Sequence, residues 1–377
     1  MKKYFDPVRF AQVPKTYPAE GFLFDDVKAM FVENVPFQGK ETRAFAWMGI
    51  PENASKENPV PGIVLVHGGL GAAFSEWVEL WVKRGFAAIA LDNCGGVPAW
   101  TSFPYSRKQW PRHAYSGPAG WGRFETWDQP VEDQWIYHAA ATALRGKALL
   151  ASMEGVDANA IGITGISWGG VISCIASGLT DFAFCASVYG CGGFDTPECS
   201  LWEQCSLEDG GQKWIELWDP DHFMTENKCP TLFLAGTGDI AFPLGRWSDS
   251  TKVPKGKVRR SLRVDYPHNH TISWSSETLY DFASAVVKNQ DTPDVGTLSV
   301  VDKTVTAPYF DAGREIVSAD FFYTRASGFW CDRKWNRRDV VIENGCLKAD
   351  LPFGATCGFF VLNDGNKCKW SSDILQF

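Results

Sequence analysis

The sequence predicts an α/β fold with a mainly parallel sheet flanked by helices, followed by a small C-terminal antiparallel, sandwich-like β domain. Three observations predict it. Six short, almost wholly apolar runs alternate with stretches of helical spacing, and beyond residue 297 the pattern changes to partial two-residue alternation between turn signals. The length, 377 residues, also exceeds the roughly 250 to 300 at which one hydrophobic core usually stops growing, so a large domain with a smaller companion is expected.

Residues 1 to about 45 carry turn formers and one weak helical stretch, and read as an N-terminal extension. The apolar runs then follow in order: Gly62 to Val66, Phe86 to Leu91, Ala160 to Ile166, Phe182 to Tyr189, Thr231 to Ala235 and Leu262 to Tyr266. Helical spacing lies between them, through Phe74, Trp77, Val78 and Trp81, and over Val131 to Met153, Gly170 to Leu179 and Ser275 to Val287. Continuous apolar strands separated by helices imply a parallel sheet covered on both faces, because each strand is buried on two sides. This large domain is placed at 46–290. Lys288 to Thr297 reads as a polar linker, and Leu298 to Thr306, Ile316 to Thr324, Val340 to Asn344 and Thr356 to Leu362 supply the β-rich accessory domain at 298–377.

Composition narrows the function. Hydrophobic residues at 45% and charged residues at 21% fit a folded globular chain. A net charge of -8, with no Lys/Arg run longer than a pair, would repel a phosphate backbone, so nucleic acid is not expected as a partner. Eleven cysteines, an odd number without a C-x-x-C pair, point to free thiols, a reducing compartment and no zinc site. No apolar stretch approaches the 18 or so residues of a membrane span and the N-terminus has no apolar leader core, so the reading is cytoplasmic; a leader removed ahead of residue 1 would change it.

In such sheets the site lies beyond the carboxyl ends of the strands. Directly after the run Ala160 to Ile166 comes Gly165-Ile166-Ser167-Trp168-Gly169, a G-x-S-x-G segment between strand and helix. That context suits a nucleophile elbow, where flanking glycines let strand and helix approach and the turn presents the hydroxyl. A serine needs a base, and an acid to orient it, downstream in the order Ser, Asp, His. Asp239 in Gly236 to Pro243 follows one apolar run, and His268 and His270 in Pro267 to Thr271 follow the next. His270 is favoured as base because it lies further into the loop, and His268 is kept as the alternative. Asp92, ending an earlier strand, is the competing acid. Val66 to Gly71 can offer the amide of Gly69 (or Leu70) to an oxyanion, with Trp168 giving the other.

These residues resemble the α/β-hydrolase superfamily, within it the acetylxylan esterase, dienelactone hydrolase and prolyl oligopeptidase branch. The resemblance covers about Phe45 to Val287 and is carried by the segments at 66–69, 165–170, 236–243 and 267–271. It implies Ser167 as nucleophile, Asp239 as acid and a histidine of Pro267 to Thr271 as base. One departure is that dienelactone hydrolases use cysteine where this elbow has serine.

Against these stand plainer readings: a helix-capping serine, a solvated turn aspartate, a His-x-His metal pair lacking a third ligand. The long connection Trp100 to Asp128 is crowded with aromatics and reads as a lid or as a satellite cluster; Trp100, Trp110, His113, Trp121 and, after the fourth run, Tyr189 are candidates to line a substrate pocket, although His113 suits a structural role. Dinucleotide, P-loop and H-E-x-x-H motifs are absent, so no cofactor is implied. The expected activity is hydrolysis of carboxylic esters, with acetyl esters of carbohydrates as the first substrate class, through an acyl-enzyme. A prolyl oligopeptidase-type peptidase and a catalytically inactive binding protein are the alternatives. A small-molecule or glycan ester is the expected partner, and homo-oligomerisation stays open.

Overall fold

The computed structural model describes residues 2–98, 111–119, 124, 126–195 and 211–377. Its centre is a nine-stranded sheet built from β1 (Thr16–Phe24), β2 (Val27–Phe37), β3 (Lys40–Gly49), β4 (Val60–Val66), β5 (Ala87–Leu91), β6 (Val156–Ile166), β7 (Cys185–Val188), β8 (Thr231–Gly238) and β9 (Val258–Pro267). The spatial order is β1-β2-β3-β5-β4-β6-β7-β8-β9. From β5 through to β9 every neighbour runs parallel, and each of these six strands coincides with or overlaps one of the six apolar runs. Ile63, Val64 and Leu65 are each 0% exposed, as strands covered on both faces must be.

The helices that cover the sheet follow the helical spacing. A short α1 (Pro7–Ala11) precedes the sheet; α2 (Ser75–Val82), α3 (Trp135–Ala151) and α4 (Trp168–Leu179) follow. α3 and α4 pack on each other and on the central strands. The contact with the sheet is close enough that a Cβ on Gly146 of α3 would meet Leu91 at 2.5 Å. α2 lies with the helix Glu277–Val287, joined by the Trp81 and Tyr280 rings at 4.7 Å.

Residues 1–45 are more than an extension. They include β1, β2 and the start of β3, an antiparallel meander joined to the parallel strands by β3 against β5. The β2–β3 connection is two residues, Gln38 (φ 50) and Gly39 (φ 74), both left-handed as a tight hairpin turn with the right twist requires. β1 and β2 are largely half-buried or exposed, so they lack the continuous apolar runs that marked the other strands.

The C-terminal residues form two five-stranded antiparallel sheets. One contains β10 (Asp294–Val295), β11 (Ser299–Val301), β12 (Thr304–Phe310), β15 (Val341–Glu343) and β16 (Cys346–Asp350). The other contains β13 (Ile316–Thr324), β14 (Asn336–Asp339), β17 (Cys357–Asp364), β18 (Lys369–Ser371) and β19 (Leu375–Gln376). β10 lies inside the segment read as a linker. This domain covers the outer edge of the large sheet: β18 lies along β9, and the Leu262 amide donates to Ser371 Oγ at 2.8 Å. An edge strand left open would offer unpaired backbone to other chains, and the small domain removes that edge. Arg314 reinforces the junction, its Nη1 reaching Asp281 at 2.6 Å and Asp364 at 3.2 Å.

Candidate active site

The carboxyl ends of the parallel strands carry the candidate residues. At the end of β6 the chain turns sharply into α4 at Ser167, whose φ of 60° and ψ of -122° are strained for a residue with a side chain. The flanking glycines are sterically required. A Cβ on Gly165 would sit 2.0 Å from the Gly169 carbonyl oxygen, and one on Gly169 would sit 1.9 Å from that of Val66. The Ser167 amide donates to Val188 O at 2.8 Å, fixing the elbow to β7. As first residue of α4, Trp168 has an amide without an acceptor inside the helix. Its indole is buried among Phe124, Trp135, Phe194 and Trp214.

Two strands away, the β8–β9 register decides which histidine meets the acid. Gly238 pairs with Pro267, so the next residue on each strand, Asp239 and His268, emerge side by side. Nδ1 of His268 lies 3.0 Å from Asp239 Oδ1. The same oxygen accepts from the amides of Ala241 (2.7 Å) and Phe242 (2.9 Å), which hold the carboxylate in place. Asp239 is 3% exposed and its Oδ2 is buried without a hydrogen-bond partner. The imidazole of His268, with its side chain 19% exposed, is stacked between Tyr189 (4.4 Å, 24°) and Phe242 (6.1 Å, 10°). With Nδ1 on the acid, Nε2 is the ring nitrogen left for chemistry.

His270, the favoured base, is not brought to Asp239. It opens the helix His270–Trp274, capped by Asn269, whose side chain accepts from the Ile272 amide, and this turn carries the ring away from the acid. His270 Nε2 instead accepts the Gly68 amide at 2.9 Å, and the ring rests on Phe74 at 5.5 Å. Burial, with His67 and His268 nearby, holds its pKa down to about 3, so it is neutral with Nδ1 protonated and its lone pair committed to Gly68. Gly68 has no room for a side chain there: a Cβ would meet Ile166 O at 2.6 Å and the His270 ring at 2.9 Å.

The loop after β4 is fixed from below as well. His67 points inward, its Nδ1 2.8 Å from Gly68 O and its Nε2 accepting the Asn93 amide at 3.1 Å. Leu70 is left-handed (φ 61), and the Gly71 amide closes the turn onto Gly68 O. Gly69 stands in this turn between the Gly68 amide, taken by His270, and Leu70. Asp92, the competing acid, meets neither His268 nor His270: its Oδ2 accepts from Cys94 N (3.0 Å) and Gly96 N (2.8 Å), and its Oδ1 lies 3.5 Å from His67 Nε2.

The pocket candidates separate. Trp100, Trp110 and Trp121 lie outside the described residues. His113 stacks on Phe31 at 4.7 Å, burial lowers its pKa, and its Nε2 is buried without a partner. Its segment is fastened to β3, where the Arg43 amide donates to Tyr115 O and the guanidinium lies between the rings of Tyr17 and Tyr115. Tyr189 does not line a pocket: it is 0% exposed, behind the His268 ring. The sequence reading missed the parts played by Tyr189, Phe242, Gly68 and His67. Only Gly68 carried a signal, as one of two adjacent glycines directly after a buried strand.

No family model and no curated protein sequence matches the chain. Solved structures do resemble it. An acetyl xylan esterase from Paenibacillus sp. R4 superposes with a TM-score of 0.57 at 17% identity, over 75% of this chain and 93% of that one. Acetyl xylan esterase 1 from Thermoanaerobacterium sp. JW/SL YS485 gives 0.56 at 15%, over 75% and 92%. The acylaminoacyl peptidase of Pyrococcus horikoshii gives 0.52 at 18%, over 70% of this chain but 42% of that chain. The large domain has the α/β-hydrolase fold.

Proposed function

We propose that the protein is a serine hydrolase of carboxylic esters, with acetyl esters of carbohydrates as its substrate class. The observation that carries this reading is the 3.0 Å contact between Asp239 and His268 at the strand edge that also holds the strained Ser167 elbow. A positioned acid, an imidazole with Nε2 left over and a presented hydroxyl are the three parts that activate a serine.

In the proposed reaction Ser167 Oγ adds to the ester carbonyl carbon while His268 Nε2 takes the hydroxyl proton. The carbonyl π electrons move to oxygen, and the amides of Trp168 and Gly69 stabilise that oxyanion, helped by the N-terminal end of α4. Collapse expels the alcohol, which leaves with the proton returned by His268. Water then repeats the sequence on the acyl-enzyme. Asp239 holds Nδ1–H, so that the imidazolium formed in each half is paired.

Acetyl xylan esterases and an acylaminoacyl peptidase both share this fold, so substrate turnover separates the two readings. The test is turnover of p-nitrophenyl acetate against a proline p-nitroanilide, together with a panel of acetylated glycans. Ester cleavage much the faster is the expected result; comparable amide cleavage would move the assignment to a peptidase. A fluorophosphonate probe should label Ser167, and a folded protein left unlabelled there would point to an inactive binding protein instead.

A further inference from the structure

The segment that follows β7 touches both the nucleophile elbow and the base loop, although the reaction as proposed gives it no chemical step. Tyr189 has a left-handed backbone, φ 66°. For a bulky side chain that conformation is unfavourable and persists only where surrounding structure imposes it. Its amide donates to Leu234 O of β8 at 2.7 Å, on the strand that leads to Asp239. Its neighbours face the elbow: Val188 O accepts the Ser167 amide, and Gly190 packs so closely that a Cβ there would lie 2.5 Å from the Val171 amide of α4. The ring stacks on His268 at 4.4 Å, and the hydroxyl crosses to the base loop. There it donates to Pro267 O at 2.6 Å, accepts from Ser273 Oγ at 2.8 Å and meets the Asn269 amide at 3.4 Å. Tyr189 thus contacts the residues on both sides of His268 as well as His268 itself.

Asp239 alone cannot fix the base. One hydrogen bond at Nδ1 leaves the imidazole free to swing about the N···O line, and this swing changes where Nε2 points. A ring stacked on its face removes that freedom. We propose that Tyr189 is a positioning residue that holds the His268 imidazole in register with Ser167, coupling the nucleophile elbow to the base loop through one side chain. The inference rests on the reading of Ser167 and His268 as nucleophile and base. It goes beyond that reading by assigning the strained tyrosine, which itself touches no reacting atom, to base orientation.

The test compares Tyr189→Phe, which keeps the ring and loses the hydroxyl contacts, with Tyr189→Leu, which loses both. Displacements near 1 Å typically cost on the order of 100-fold in rate, so kcat on p-nitrophenyl acetate should fall about tenfold in Tyr189→Phe and about a hundredfold in Tyr189→Leu, with KM within about twofold of wild type. A second readout does not depend on turnover. The Nδ1 proton shared between His268 and Asp239 should give a low-field proton resonance that broadens in Tyr189→Phe and disappears in Tyr189→Leu. Wild-type kcat with an unchanged resonance in both variants would overturn the proposal, as would lowered thermal stability with both readouts unchanged. If Tyr189→Leu does not fold, Tyr189→Phe decides alone. Loss of the resonance in a protein whose wild type cleaves no ester would uphold the positioning role and refute the hydrolase reading, so the two can fail separately.

Discussion

His268 and His270 are separated by a single residue, and the molecule puts them to opposite uses. The first lies just past the end of a strand whose neighbour runs into Asp239, so its Nδ1 is held by a carboxylate and its Nε2 is left over. The second begins a helix, and its Nε2 takes the Gly68 amide in the loop after β4. Burial with no carboxylate in contact drives the second toward the neutral form. The difference teaches that position relative to strand register, rather than depth into a loop, selects the histidine that meets the acid. In the proposed reaction the two imidazoles have complementary tasks at one site: one moves a proton, and the other shapes the loop that receives the oxyanion.

The largest effects should fall on the acid–base side. Ser167→Ala should lower kcat/KM on p-nitrophenyl acetate by on the order of 10⁴- to 10⁶-fold without unfolding the protein, since triads act as a unit. His268→Ala should match it within about tenfold, and Asp239→Asn should cost roughly 10⁴-fold by removing the partner that fixes the imidazole tautomer. Steady-state kinetics with circular dichroism as a folding control reads all three. Retained activity in His268→Ala would invert the comparison and return the base to His270.

The oxyanion side should respond less and differently. His270→Ala leaves the Gly68 amide without its acceptor, so kcat should fall about 10- to 100-fold through movement of the loop. His270→Gln can present a carbonyl oxygen to the same amide and should recover much of that loss, whereas His268→Gln should stay inactive because no amide accepts a proton there. Recovery by glutamine at 268 and none at 270 would break the division of labour.

The parallel core was legible because strands buried on both faces are apolar without interruption, and Ile63 to Val66 or Ala87 to Leu91 could hardly be anything else. Ser167 and Asp239 were legible for the related reason that the ends of such strands are where side chains can leave the sheet. β1 and β2 were not, because strands at the open side of a mixed sheet carry half-exposed polar residues, and the Gln38-Gly39 turn lacks the asparagine or aspartate that usually marks such a hairpin. The choice between the histidines was illegible for a more specific reason. It depends on the bulge between Gly236 and Gly238 that brings Gly238 opposite Pro267, and with it on Asp265 at φ 53°. No periodicity reports a bulge. The inward turn of Tyr189 is of the same kind, since a tyrosine after an apolar strand is equally at home lining a pocket.

The smallest expected effect is on stability, and it separates the histidines without any substrate. In the folded protein His270 stays neutral down to about pH 3, whereas its ordinary pKa is 6.5. Between those values the unfolded chain holds a proton that the folded chain does not. Stability therefore rises with pH across the window: the contribution is complete above about 6.5 and is lost as pH falls toward 3. His138, held down to about 4 by burial, adds a slope of the same sign. Asp221, pushed up to about 7 by burial and by Asp219, adds one of opposite sign, because the folded state then holds the extra proton. The absolute curve is thus a sum, but the difference between wild type and His270→Gln isolates one group. Urea unfolding at a series of pH values should give the variant a slope shallower by up to one proton, about 1.4 kcal/mol per pH unit at most. Identical slopes would mean that His270 is not the neutral acceptor of the Gly68 amide, and the contrast with His268 would lose its physical basis.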